Sequence, residues 1–174
     1  MSVRAFVDEH YRHFNAGTLR RASSSLLDHL QKGGTVFVTL AGAMSTAEIG
    51  RSLAQMIRAG HIAAISCTGA NLEEDLFHLV ARDAYVDIPS PDDLTAEDED
   101  DLLKRKLNRV TDVCIPEEEA IRTIEYALMR LWKEAHHSDQ ALLPHQFLYR
   151  LLRSGELAGS YQGDTQHSWL LAAA

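Results

Sequence analysis

Thr35-Val36-Phe37-Val38-Thr39-Leu40 is an apolar run, followed by the small-residue turn Ala41-Gly42-Ala43 and an amphipathic segment from Met44 to Arg58. A second apolar run, Ile62-Ala63-Ala64-Ile65-Ser66-Cys67, leads into a second small turn, Thr68-Gly69-Ala70-Asn71, and then into Leu72-Glu73-Glu74-Asp75-Leu76. The pattern predicts strand, turn and helix, twice over. In a parallel α/β sheet such turns lie at the carboxyl ends of the strands, where ligands bind. Small residues there let a phosphate or a ring approach the backbone, and the helix that follows favours negative charge at its start. Neither turn carries the G-x-G-x-x-G spacing or a Gly-Lys-Ser/Thr phosphate loop. The residues alone describe a nucleotide-sized cleft of unspecified type, and two ordinary strand-to-helix turns would use the same amino acids.

The wording of the second turn narrows the reading. Thr68-Gly69-Ala70-Asn71-Leu72-Glu73-Glu74-Asp75-Leu76 resembles the Thr-Ala-Gly-Gly-Val-Glu-Glu-Asp-Leu segment of deoxyhypusine synthases. Leu40 to Ile49 is similar to the first cofactor turn and helix of that family. Leu107-Asn108-Arg109-Val110 and Val113-Cys114-Ile115-Pro116 resemble its Ile-Asn-Arg-Ile and Leu-Leu-Val-Pro. The ordered match spans roughly Thr35 to Glu125, and the Glu-Glu-Asp-Leu turn is its most specific piece.

The resemblance implies NAD-dependent chemistry. Deoxyhypusine synthases and the related homospermidine synthases oxidise spermidine, move its aminobutyl group to an acceptor amine through an enzyme lysine imine, and return the hydride. The acceptor is a lysine of a translation factor in one case and putrescine in the other. By position, Gly42, Ala43, Met44, Ser45 and Thr46 fall on the first NAD turn and Thr68, Gly69 and Ala70 on the second. Glu73 and Glu74 fall on carboxylates near the polyamine, Glu74 also near the cofactor. A polyamine needs acceptors that stay ionised, which two glutamates supply. Two acids in a first helical turn are also favoured by the macrodipole alone. Two departures stand out: Gly42-Ala43 replaces a Ser-Asn pair, leaving backbone N–H groups as donors, and Asn71 replaces a glycine, a position where asparagine tolerates left-handed backbone. They point to a divergent branch and bear on the acceptor more than on NAD.

With 174 residues, 45% hydrophobic, the chain is sized for one globular domain with a core. A net charge of −8 argues against a nucleic-acid or anionic-membrane surface. The expected location is cytoplasmic, since the sequence shows neither an 18-residue apolar run nor a signal-like start. Cys67 and Cys114, at predicted strand ends without metal spacing, read as buried thiols, and no metal site is expected.

Around the central stretch, Val3 to His13 reads as an amphipathic docking helix with Phe6, Val7, His10 and Phe14 on one side. Thr18 to Gln31 reads as a second helix, opened by a Thr cap and stopped by Gly33-Gly34. Asp83 to Asp101, with its acidic run, reads as a loop. Val110 to Ile115 is a short strand, and Pro116-Glu117-Glu118-Glu119 opens a helix to about Glu134. His136-His137 end it and point apart, so they make no metal face. A helix from Leu142 to Arg153 and a final apolar one from Asp164 or Thr165 to Ala174 complete the pass.

The expectation is therefore an α/β chain: a Rossmann-like parallel sheet with helices on both faces, truncated to the N-terminal half of a deoxyhypusine-synthase-like NAD-binding fold. Residues 1–33 form N-terminal helices and 34–174 the α/β portion of a single domain. Lys32, Lys104, Lys106 and Lys133 match no catalytic lysine motif, so no catalytic residue is assigned in this chain. The resemblance places the imine-forming lysine in a second half. Two functions follow: an aminobutyl-transferase half-site with NAD and spermidine or another polyamine, completed by a C-terminal half as a homo-oligomer or heterocomplex, or a non-catalytic nucleotide-, polyamine- or subunit-binding module.

Overall fold

The computed structural model describes residues 1–174. Strand β1 (Val36–Leu40) pairs in parallel with β2 (Ile62–Cys67), Val38 opposite Ile65 and Leu40 opposite Cys67. Helix α3 (Gly50–Arg58) connects them, and α4 (Gly69–Ala81) leaves the end of β2. Along β1, Val36, Val38 and Leu40 turn toward the helices, whereas Phe37 and Thr39 alternate outward and Phe37 is 64% exposed. Their neighbours Ala64 and Ser66 on β2 are exposed too, so helices cover one face of this sheet and the other is bare.

The mixed α/β class stands, but the parallel sheet stops at two strands. The second sheet is antiparallel, in the order β3 (Val86–Asp87), β5 (Val113–Pro116), β4 (Leu107–Val110). The single strand expected from Val110 to Ile115 is thus the second half of a hairpin, reversed at Thr111, whose φ is +53°. The acidic run is not a loop. It opens helix α5 (Ala96–Lys104), where Thr95 accepts from the Asp98 N–H and the Asp98 carboxylate accepts from the Thr95 N–H. Carboxylates in a capped first turn are stabilised by unpaired amide groups, which is why the charge run folds.

Helix α3 begins six residues later than the sequence suggests. Glu48 takes a left-handed φ of +57°, and the segment before Gly50 is a series of turns. Gly50 itself lies against the carbonyl of His167, where a Cβ would come within 2.0 Å of the oxygen. Only glycine permits that approach.

The core is built on α4. Leu76, Leu79 and Val80 pack with Ile124 and Leu128 of α6 (Thr123–His137), Leu148 and Leu151 of α7 (Pro144–Ser154), and Trp169 and Leu170 of α8 (Trp169–Ala173). A wide π-helical turn, Glu117–Arg122, precedes α6. The final helix is shorter than expected: Asp164 caps a single tight turn, Thr165–His167, and Ser168 caps α8. At the other end, α1 (Val3–His10) buries no residue and α2 (Phe14–Gln31) buries only Gly17. Helix α2 starts at Phe14, which is 94% exposed, and the Thr18 hydroxyl donates back to the Phe14 carbonyl instead of capping. Phe6 and Phe14 of the expected docking face are both exposed, at 43% and 94%. Cys114 is fully buried and Cys67 partly so, both free thiols. No helix is long and apolar enough to cross a membrane.

Candidate functional site

The two small turns meet at the carboxyl ends of β1 and β2. The Thr68 N–H donates to the Leu40 carbonyl at 3.3 Å, continuing the strand pairing into the turns. Thr68 caps α4 by accepting from the Asn71 N–H, and its own hydroxyl donates to the Gly42 carbonyl at 3.1 Å. Gly42 needs its φ of +65° to make this bend. A Cβ built on Gly42 or Gly69 meets nothing within 4 Å, so the space over both turns is open.

Asn71 is what holds the turns together. It is completely buried and helical, not left-handed as its replacement of a glycine suggests. Its Nδ2 donates to the Gly42 carbonyl at 2.7 Å and its Oδ1 accepts from the Ser45 N–H at 3.1 Å. The Ser45 hydroxyl donates to the Asn71 carbonyl at 2.6 Å and accepts from the Trp169 indole at 2.9 Å. One side chain thus joins both turns, and α8 locks them from behind. Sequence reasoning missed this role; the signal was a Thr-x-x-Asn start, which places the amide one helical turn after its cap.

With Ser45 and Thr46 tied inward, the backbone N–H groups of Gly42, Ala43 and Met44 have no acceptor in the chain. The first N–H groups of α4, at Gly69 and Ala70, are free as at any helix start. Of the residues singled out by sequence, Gly42, Met44, Thr68 and Gly69 are exposed, Ala43 and Ala70 half-buried, and Ser45 and Thr46 buried. They form one surface: an exposed rim of amide donors over a hydrogen-bonded floor.

The glutamates part company. Helix α4 begins at Gly69, so Glu73 and Glu74 sit in its second turn, not its first, and point about 100° apart. Glu73 is exposed and lines an apolar cavity with Leu72, Leu128 and Trp132. Desolvation and the neighbouring Glu74 push its carboxyl above the ordinary range. Glu74 is buried beneath the first turn, where it accepts from the Thr46 N–H at 3.3 Å. Burial raises its pKa and the Thr46 contacts partly offset this.

Asp75, the next residue, serves the other end of the chain. It accepts from the Ser168 hydroxyl at 2.5 Å and from the N–H groups of Trp169 and Leu170, capping α8 from outside. Desolvation outweighs these bonds and pushes its pKa up to about 6. All four lysines are exposed, Lys104 and Lys106 in surface ion pairs, so none sits in a water-poor site.

The family model described as deoxyhypusine synthase matches residues 8–174. Among curated proteins, the chain is 30% identical over 177 aligned positions to a deoxyhypusine synthase-like protein of Nostoc sp., covering all of this chain and 44% of that one. It is 28% identical to the counterpart from Thermosynechococcus vestitus, again over its full length and 42% of the relative. A deoxyhypusine synthase-like protein of Cyanothece sp. is 37% identical over 101 residues, 57% of this chain and 25% of the relative. The chain therefore spans less than half the length of the curated relatives it matches.

Proposed function

The chain belongs to the deoxyhypusine synthase family, and from that premise we propose that its two small-residue turns form the NAD-binding part of an aminobutyl-transferase site. The observation that carries the reading is the rim of unpaired backbone N–H groups at Gly42, Ala43 and Met44, beside the open start of α4 at Gly69 and Ala70. Amide donors at a helix start suit the pyrophosphate of a dinucleotide. Ser45 and Thr46 support that rim from below through Asn71 and Glu74. Glu73, exposed and half-desolvated, is the carboxylate of this chain that would meet an ammonium of spermidine or another polyamine; Glu74 would act on the cofactor side, positioning the turn. NAD supplies the hydride acceptor when bound, and this chain's residues orient it.

The nucleophile comes from elsewhere. Imine formation needs an amine kept unprotonated in a water-poor site, and the four exposed lysines do not supply one. We propose that residues 1–174 act as one domain, the N-terminal part of the family's NAD-binding fold, and become active with a polypeptide that provides the lysine. The acceptor amine is then a protein lysine or putrescine.

Gly69→Leu tests the reading. Gly69 lies outside the left-handed region and a Cβ there has no protein atom within 4 Å, so the fold should survive while the leucine fills the cofactor space. In the complex isolated from the native source, calorimetry should show NAD affinity lost in the variant. Unchanged affinity, with melting temperature also unchanged, would remove the turns from the cofactor site. The other reading, a non-catalytic module, is favoured by the buried position of Glu74. It would be supported by NAD binding in a native complex that forms no NADH from spermidine.

A further inference from the structure

Trp169 is the largest of the fully buried side chains, so its indole N–H has to find an acceptor inside the protein. That acceptor is Ser45 Oγ of the first turn, at 2.9 Å and 124 positions away in sequence. A serine hydroxyl has one proton to give, and Ser45 gives it to the Asn71 carbonyl at 2.6 Å. A second acceptor, Asn71 Oδ1, stands 3.5 Å from the same hydroxyl, but it already takes the Ser45 N–H at 3.1 Å. An indole can only donate. Its N–H therefore fills a lone pair of Ser45 and leaves the hydroxyl proton directed at the Asn71 carbonyl.

Trp169 is itself firmly seated. Asp75 of α4 accepts from the Trp169 N–H at 3.3 Å and the Leu170 N–H at 3.1 Å. Ahead of α8, Arg58 of α3 donates to the carbonyls of Thr165 at 3.1 Å and Gln166 at 2.6 Å. At the far end, Nε of Arg153 on α7 donates to the Ala174 carbonyl at 2.6 Å. Residues 165–174 thus form a strap pinned to α3, α4 and α7, and the indole carries its polar contact to the first turn.

We propose that Trp169 is a positioning residue for the cofactor turn. By fixing the Ser45 hydroxyl it holds the turn in the arrangement that presents the Gly42, Ala43 and Met44 N–H groups together, and it makes dinucleotide affinity depend on the seating of α8. The proposal rests on the cofactor reading and adds to it the contact that governs the site from behind. Without the indole N–H, the hydroxyl can swing to Asn71 Oδ1 in competition with the Ser45 N–H. The turn then spends part of its time in other arrangements, and affinity falls with the competent fraction. The indole lies in the apolar core, so it acts on the cofactor only through Ser45.

Two variants in the native complex test this. Trp169→Phe removes the N–H together with some volume. Trp169→benzothienylalanine puts sulfur in place of the N–H in a ring of the same shape, so the fold should survive even where the phenylalanine does not pack. By calorimetry the benzothienyl variant should bind NAD roughly tenfold more weakly at an unchanged melting temperature. In a Ser45→Ala background the same change should cost nothing further, whereas a packing role would cost as much in both backgrounds. Without NAD, amide hydrogen exchange at Ser45 should be faster in the variant than in wild type. The inference alone is overturned if Gly69→Leu abolishes NAD binding while the benzothienyl variant binds as wild type. It is equally overturned if the loss is as large in Ser45→Ala, or if Ser45 exchange does not change. Wild-type NAD affinity in both Gly69→Leu and the benzothienyl variant would overturn the cofactor reading with it.

Discussion

Asn71 makes the clearest case at the scale of single residues. Replacing it with alanine leaves the Ser45 N–H without its partner inside the structure and the Gly42 carbonyl with only the Thr68 hydroxyl of its two donors. A loss of about 1–3 kcal/mol is expected, read as a lower urea midpoint at unchanged slope. An unchanged midpoint would mean the turns are held by something else. Asp75 gives a pH signature. Its pKa is about 6 in the folded protein against about 3.9 in an unfolded chain, so the folded state holds the proton more tightly. Stability from this group is therefore greatest below pH ~4, falls as pH rises through ~4 to ~6, and is constant above that. The whole swing is on the order of 3 kcal/mol. Asp75→Asn cannot titrate, so its stability relative to the wild-type chain should improve by up to that amount across the same window. A pH-independent difference in paired denaturation curves would refute the shift. The identity of these residues was plain in the sequence. Their partners were not, because Asp75 and Ser168 are 93 positions apart and no local period links them.

Elements were legible where a local rule fixes them. Strands β1 and β2, the Thr68 cap and the stop at Gly155, with its left-handed φ of +73°, follow from short apolar runs, capping chemistry and a glycine turn. They were misread where long-range contacts override the local rule. The amphipathic period of Met44–Arg58 continues through residues that Glu48 holds out of the helix, because three basic side chains converge on its carboxylate. The Val110–Ile115 run hid a reversal at Thr111, a residue type that rarely marks one. Helix α4 carries the element-scale prediction. Its two glutamates stand in different surroundings, so charge removal should separate them. Glu73→Gln should weaken spermidine roughly ten- to a hundredfold in the assembled complex and leave stability unchanged. Glu74→Gln should loosen the Thr46 turn and weaken NAD instead. Equal effects of both variants on both ligands would return these residues to a purely structural role.

At the scale of the molecule, a two-stranded parallel sheet with one bare face is an unfinished layer. Phe37 stands 64% exposed on that face, β2 has an unpaired edge, and the apolar residues of α1 and α2 are uncovered. Isolated two-stranded sheets are marginal, and open edges recruit strands. The chain alone should therefore associate, and Phe37→Asp should reduce the association seen by light scattering; a monodisperse monomer of the wild-type chain would contradict this. The family could be read from Thr68 to Leu76. The incomplete sheet could not, since it depends on what lies beside β2 and not on any residue within it.

The central claim is that the two turns at the strand ends face NAD. Amide hydrogen exchange on the native complex, with and without NAD, tests it at the residues concerned. The account predicts slowed exchange at Gly42, Ala43, Met44, Gly69 and Ala70, the amides without acceptors in the chain, and little change in α6 and α7. Protection confined to other segments, or none at saturating NAD, would contradict it.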